Sequence, residues 1–234
     1  MSVTALSSAP MPAYMSDPTD EQLAALNMAM DGKSFKIVAY AGAGKTTTLK
    51  LIAERLRGRG LYLAFNKGIA NEAKQKFPGH VDCRTFHSLA YRHVPRDITA
   101  KLSLPRFSPK RLGDDLGLRT VQVRRQMQGK TTYVNLTPAR QARFVSDAVS
   151  NFCSTHASYP APRHLIFPSW ISASDEEQLR EMLYPAVEKR WQQSIDARHP
   201  AGIGHDIYLK LWALSKPIIP ADFILFDEAQ DADP

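Results

Sequence analysis

Apolar positions along the first third of the chain switch between two periods. Leu23, Leu26 and Met30 fall on one face at helical spacing, and a short apolar run, Phe35-Lys36-Ile37-Val38, follows. Leu49, Ile52, Ala53 and Leu56 return to the helical period, and Leu61-Tyr62-Leu63-Ala64-Phe65 is again a compact apolar run. Ile69, Ala70, Ala73 and Phe77 then line one side of a stretch whose other side carries Glu72, Lys74 and Lys76. Pro78-Gly79 breaks that stretch, and Val81 to Phe86 reads as a third strand. Spacings of three and four predict amphipathic helices; short apolar runs bounded by turn residues predict strands. Their alternation predicts an α/β fold with a parallel sheet covered by helices on both faces.

Helix ends are marked as well. Thr19 before Asp20, Glu21 and Gln22 reads as a cap with acids in the first turn, and Asp31-Gly32 as the stop. Ser108-Pro109 and Thr137-Pro138 are cap-then-proline starts, and Phe144, Val145, Ala148, Val149 and Phe152 make a helical stripe. Ser174-Asp175-Glu176-Glu177 reads as a capping box leading into Leu179, Met182, Val187 and Trp191, with a kink expected at Pro185. No strand alternation stands out between residues 92 and 200, which predicts a purely α-helical insertion. His205 to Trp212 then predicts a helix, and Ala221 to Phe226 a buried strand that runs into Asp227-Glu228-Ala229-Gln230-Asp231. The domain reading is a disordered lead-in over 1–15, a sheet domain from 16–91 plus 205–234, and a helical insertion over 92–204.

Between the first predicted strand and the helix after it lies Ala39-Tyr40-Ala41-Gly42-Ala43-Gly44-Lys45-Thr46-Thr47. Small residues let backbone N–H groups close around phosphates, and the helix N-terminus adds positive potential. Lys45 would reach the β- and γ-phosphates and the Thr46 hydroxyl would ligate Mg²⁺. The full phosphate-loop pattern asks for Gly where this chain has Ala39. A second apolar strand ending in Asp227-Glu228 supplies what a nucleotide hydrolase needs opposite such a loop. One carboxylate holds the Mg²⁺ and the next orients or deprotonates the attacking water.

Charge sharpens the picture of the insertion. Of a net +7, the segment Arg92 to Arg143 alone carries 12 Lys/Arg against three Asp, an excess of +9, so the remainder of the chain stands at −2. A concentrated basic segment fits a polyanion partner or, equally, a solvated helical face. The two cysteines, Cys83 and Cys153, offer no disulfide framework, and no run approaches a membrane span. Cys83 with His87 and Cys153 with His156 would give four zinc ligands on paper, but at spacings unlike those of a zinc ribbon or finger.

The order Gln22, Ala39 to Thr46, Leu63-Ala64-Phe65-Asn66-Lys67, Thr85-Phe86-His87-Ser88 and Asp227-Glu228-Ala229-Gln230-Asp231 resembles superfamily 1 DNA helicases of the UvrD/Rep type. Tyr62 to Lys67, Arg84 to Tyr91 and Tyr208-Leu209-Lys210-Leu211-Trp212 look most like the branch containing the F-box DNA helicases, which tolerates Ala where this chain has Ala39. The resemblance implies a P-loop NTPase (RecA-like) sheet and an ATP site with Mg²⁺, comprising Gln22 at the adenine, the loop residues Ala41, Gly42, Ala43, Gly44, Lys45, Thr46 and Thr47, and the metal-side pair Thr46 and Asp227. It implies catalytic roles for Lys45, Asp227, Glu228 and Gln230, the last coupling the γ-phosphate state to domain movement. It further implies single-stranded DNA contacts at Phe65, Asn66, Lys67, Thr85, Phe86 and His87, although Phe65 also reads as a core ring at a strand end.

The expectation that follows is the ATP- and single-strand-binding N-terminal half of a 3′–5′ DNA helicase. It would act at single-strand/duplex junctions, in the cytoplasm of a bacterium or phage host or in a eukaryotic nucleus. The sheet would be incomplete, and a second RecA-like domain or a full-length partner would be needed for unwinding. A non-catalytic DNA-binding or regulatory module is the alternative; an unrelated P-loop enzyme such as a small kinase fits Asp227-Glu228-Ala229-Gln230-Asp231 poorly.

Overall fold

In the computed structural model residues 18–40, 42–127 and 130–231 are described, Gln126, Met127 and Asp231 by their backbone alone. The lead-in expected over 1–15, and Ala41 of the loop, lie outside the described residues. The chain opens with α1 (Asp20–Met30), α2 (Lys45–Arg55), β1 (Gly60–Ala64), α3 (Lys67–Lys76) and β2 (Val81–Thr85). Next come α4 (Phe86–His93), α5 (Arg96–Ala100), α6 (Pro109–Leu116), β3 (Val121–Met127) and β4 (Lys130–Leu136). Last are α7 (Pro138–Cys153), α8 (Ala173–Ile195), α9 (His205–Leu214) and β5 (Phe223–Phe226). The chain divides into two compact units, residues 1–84 with 220–227, and residues 85–219 with 228–234.

The first unit is α/β. Its sheet has the order β2-β1-β5, and β1 pairs with β5 in parallel, Leu61 opposite Ile224 and Leu63 opposite Phe226. All five residues of β1 are buried. Tyr62, Ala64, Val81, Cys83 and Leu225 from the strands meet Ile52 and Ala53 of α2 and Ala70 and Ala73 of α3 in one apolar core. A continuous apolar strand is what a position covered on both faces requires.

Phe35–Val38 does not join this sheet. Phe35 and Ile37 pack against the core and Val38 is 84% exposed, so the alternation is present. Among the described residues, however, the sheet is built from β2, β1 and β5 only. Alternation placed the side chains, but a strand also needs a backbone partner.

The second unit is mainly helical around Val145, Val149 and Phe152 of α7 and Leu179, Leu183, Val187 and Trp191 of α8, all buried. Phe152 meets Trp191 edge to face at 5.0 Å. Ser108 and Thr137 cap α6 and α7 with Pro at the first turn, as their sequence predicts. α8 begins earlier than expected: its cap is Ser172, whose hydroxyl accepts from the Asp175 N–H, and not Ser174. It then runs through Pro185 without interruption.

The expectation of a purely helical insertion is corrected here. β3 and β4 pair antiparallel, with Val121 opposite Leu136, Val123 opposite Val134, Arg125 opposite Thr132 and Met127 opposite Lys130. At the base, Val123 and Leu136 are buried. Toward the tip Arg125, Lys130, Thr131, Thr132 and Tyr133 are exposed, so the period-two signal fades over the outer half.

Candidate functional site

The loop before α2 turns through two glycines with left-handed backbone, Gly42 at φ 79° and Gly44 at φ 78°. A Cβ in this region costs about 1–2 kcal/mol, which explains the small residue types there. Ala43 N–H donates to the Tyr40 carbonyl at 3.1 Å within the turn. α2 then starts at Lys45 with no side-chain cap and no acidic residue in its first turn, whereas α1 carries Asp20 and Glu21 there. The positive end of α2 therefore brings no carboxylate of its own.

Facing this helix start is the end of β5. Asp227 N–H donates to the Leu63 carbonyl at 3.1 Å, which continues the β1–β5 ladder one step past the strand. Its carboxylate, on a residue only 5% exposed, accepts from Tyr62 Oη at 2.5 Å and from Thr46 Oγ1 at 3.4 Å, both at Oδ2. A helix N-terminus, a hydroxyl and a buried carboxylate thus converge. This donor set fits a hard divalent cation carrying phosphate, with Thr46 and Asp227 as the protein oxygens.

Gln22 sits beside the loop. Its Nε2 donates to Thr48 Oγ1 at 3.2 Å, and its Oε1 accepts the Thr19 N–H at 3.1 Å in a capping box. A Cβ on Gly44 would lie 3.5 Å from Gln22 Nε2. Both ends of the amide are therefore engaged inside the protein.

Phe65 is 58% exposed at the end of β1, which removes the reading of this ring as core. Asn66 caps α3, its Oδ1 accepting the Ile69 N–H at 2.9 Å, and Lys67 opens that helix exposed. A solvent-facing ring, an amide and a cation thus follow the buried strand in consecutive positions.

In the second unit Thr85 caps α4 in a reciprocal box with Ser88. Phe86 is half-buried and His87 exposed. The His87 ring lies 6.0 Å from Tyr208 and 6.1 Å from His205, and Tyr91 lies 5.9 Å from Tyr208, all edge to face. Burial lowers the His87 pKa below the usual imidazole range; repulsion from His205 adds to this and Asp206 opposes it. Glu228 has a left-handed φ of 50°, uncommon for a residue with a Cβ, and its Oε2 accepts from Gln230 Nε2.

The paper zinc set finds no support. Cys83 and Cys153 belong to different units, and burial pushes their thiols up to about 11 and about 12. Among the described residues, no group of three or more His, Cys, Asp or Glu side chains is placed to hold a metal. No described helix is long and apolar enough to cross a membrane. Tyr62 is a participant that residue patterns did not single out. A hydroxyl inside an otherwise apolar buried strand needs a partner, and that was the available signal.

The chain is similar to F-box DNA helicase 1 of Gallus gallus, 32% identical over 92% of this chain and 21% of that protein. It is also similar to F-box DNA helicase protein 1 of Schizosaccharomyces pombe, 30% identical over 87% of this chain and 23% of that one. The chain is helicase-related. It spans about a fifth of the length of the curated relatives it matches. No family model matches this helicase-related chain, and no solved structure does.

Proposed function

We propose that this chain carries the ATP-binding and single-stranded-DNA-binding elements of an ATP-dependent DNA helicase. The observation that carries the reading is the convergence of Thr46 and the buried Asp227 carboxylate at the start of α2. Lys45 and the loop Gly42 to Thr47 take the phosphates, Thr46 and Asp227 hold Mg²⁺, and Glu228 orients water. Gln230 is the candidate for sensing the nucleotide through Glu228, whose carboxylate it already contacts. Mg²⁺ held by Thr46 and Asp227 would supply neutralisation of charge on the phosphates during transfer. Gln22 reaches an adenine only by exchanging its present hydrogen bonds. Phe65, Asn66 and Lys67, with Thr85, Phe86 and His87, supply exposed rings and donors suited to unstacked bases. Similarity to two eukaryotic helicases supports a nuclear setting.

The test is equilibrium binding of a fluorescent ATP analogue with Mg²⁺, and of labelled oligothymidylate, to the chain and to Lys45→Ala. The expected result is at least tenfold weaker nucleotide binding in the variant, with oligonucleotide binding retained. Equal nucleotide binding by both proteins would refute the site. DNA binding with no nucleotide binding by either protein would favour the non-catalytic module.

A further inference from the structure

Residues 116–146 contain six Lys/Arg and not one Asp or Glu, and the β3–β4 hairpin lies within this stretch. Its first cation is committed to structure. The Arg124 N–H and guanidinium both donate to the Asp175 carboxylate, the latter at 2.8 Å, and the Arg124 carbonyl accepts the Ser172 N–H at 3.3 Å. Arg125 adds a backbone bridge to Ile171. These bonds join the hairpin at Arg124 and Arg125 to the start of α8.

The outer half of the hairpin is chemically distinctive. Tyr133 is 66% exposed on the face it shares with Arg124. On the opposite face Arg125, Thr132 and Lys130 are exposed. Arg125 and Lys130 lie on opposite strands two ladder positions apart, about 7 Å along the strand. An exposed ring on one face, two exposed cations on the other and no carboxylate in the surrounding sequence complement a flexible polyanion that can wrap the hairpin and also offers flat apolar faces. Bases in a duplex hide those faces in the stack, and bases in a single strand present them.

We propose that Tyr133, Arg125 and Lys130 of the β3–β4 hairpin contact single-stranded DNA, with Tyr133 stacking on a base from one face and Arg125 and Lys130 meeting phosphates from the other. This rests on the proposed function and gives it an element beyond the residues that resemble helicase motifs.

The test uses fluorescence anisotropy with the full chain, labelled oligothymidylate and a blunt duplex of equal length over a salt series. Tyr133→Ala is expected to weaken single-strand binding about tenfold with the salt slope unchanged, and Tyr133→Phe, which keeps the ring, to bind like the parent. Arg125→Ala combined with Lys130→Ala is expected to reduce the logarithmic salt slope by about 1.4. If the parent chain fails to bind the single strand at low salt, the DNA part of the proposed function falls and the hairpin assignment with it. If the parent binds and all these variants bind equally with the same slope, the hairpin assignment alone is overturned. A larger loss on the duplex than on the single strand also overturns it.

Discussion

Tyr62 and Asp227, separated by 165 positions, meet in a buried hydrogen bond of 2.5 Å. Tyr62 is fully buried in the central strand and Asp227 is 5% exposed at the end of the neighbouring one. The parallel pairing of β1 with β5 sets Tyr62 opposite Leu225, and the phenol spans the remaining distance to the carboxylate. Because Oδ2 also accepts from Thr46 Oγ1, the tyrosine fixes the carboxylate that meets the phosphate-loop helix. The sheet therefore orients the proposed metal-binding group as well as supporting it.

Tyr62→Phe removes this donor and little else. A buried carboxylate oxygen that loses a hydrogen bond costs about 1–3 kcal/mol, so the urea unfolding midpoint should drop accordingly. The Mg²⁺ concentration needed for half-maximal nucleotide binding should rise, while nucleotide binding in EDTA stays unchanged. A variant with parental stability and parental Mg²⁺ dependence would show that the phenol does not position Asp227.

Gly44 is expected to resist substitution for a backbone reason. At φ 78° an alanine pays the left-handed penalty of about 1–2 kcal/mol, and its Cβ would find only an ordinary contact, 3.5 Å from Gln22 Nε2. Gly44→Ala should therefore lower stability by strain and not by collision. Thermal unfolding that matches the parent would mean that the loop relaxes to another conformation.

Local chemistry was the legible part of this fold. Thr19, Ser108 and Thr137 announce their helices because a cap is written within four residues, and β1 is legible because a strand covered on both faces must be apolar throughout. The hairpin is poorly legible because only Val121, Val123, Val134 and Leu136 at its base carry the alternation, although Thr131, Thr132 and Tyr133 follow soon after Gly129. Ser174 reads as the cap of α8 from sequence because it precedes an acidic turn as well as Ser172 does. The loop Gly42 to Thr47 and Asp227 could be named from residue types. The bond from Tyr62 to Asp227 could not, since it depends on strand order across most of the chain.

Asp175 holds the hairpin to α8, and its loss should be felt there. Hydrogen bonding to Arg124 keeps its carboxyl below the usual range despite burial. Asp175→Ala leaves the Arg124 N–H and guanidinium without this acceptor, and because the Arg124 side chain is 43% exposed, water recovers part of the cost. A destabilisation of about 1–3 kcal/mol is expected, with Asp175→Asn falling between it and the parent. Hydrogen exchange of the β3 and β4 amides should accelerate in Asp175→Ala more than that of α7. Uniform acceleration would instead mean that the pair serves the whole unit.

Acid should weaken the second unit by forcing protons onto partly buried imidazoles. His87, His164 and His199 all have pKa values lowered from 6.5, each with burial as the leading cause. For His164, repulsion from Arg163 and Lys210 adds to burial. Its Nδ1 accepts the Ala161 N–H at 2.8 Å, a bond that the doubly protonated ring cannot accept. His199 Nδ1 likewise accepts the Ala201 N–H at 3.3 Å. Below pH 6.5 the unfolded chain therefore binds protons that the folded chain refuses, so stability is greatest above that pH. It is lost as the pH falls through 6.5 toward the lower folded values. Chemical unfolding at pH 7.5, 6.5 and 5.5 should give a decreasing midpoint, and His164→Gln, which keeps an acceptor without the titration, should flatten the decline. A midpoint that holds steady or rises on acidification would contradict the neutral, hydrogen-bond-accepting state assigned to these rings.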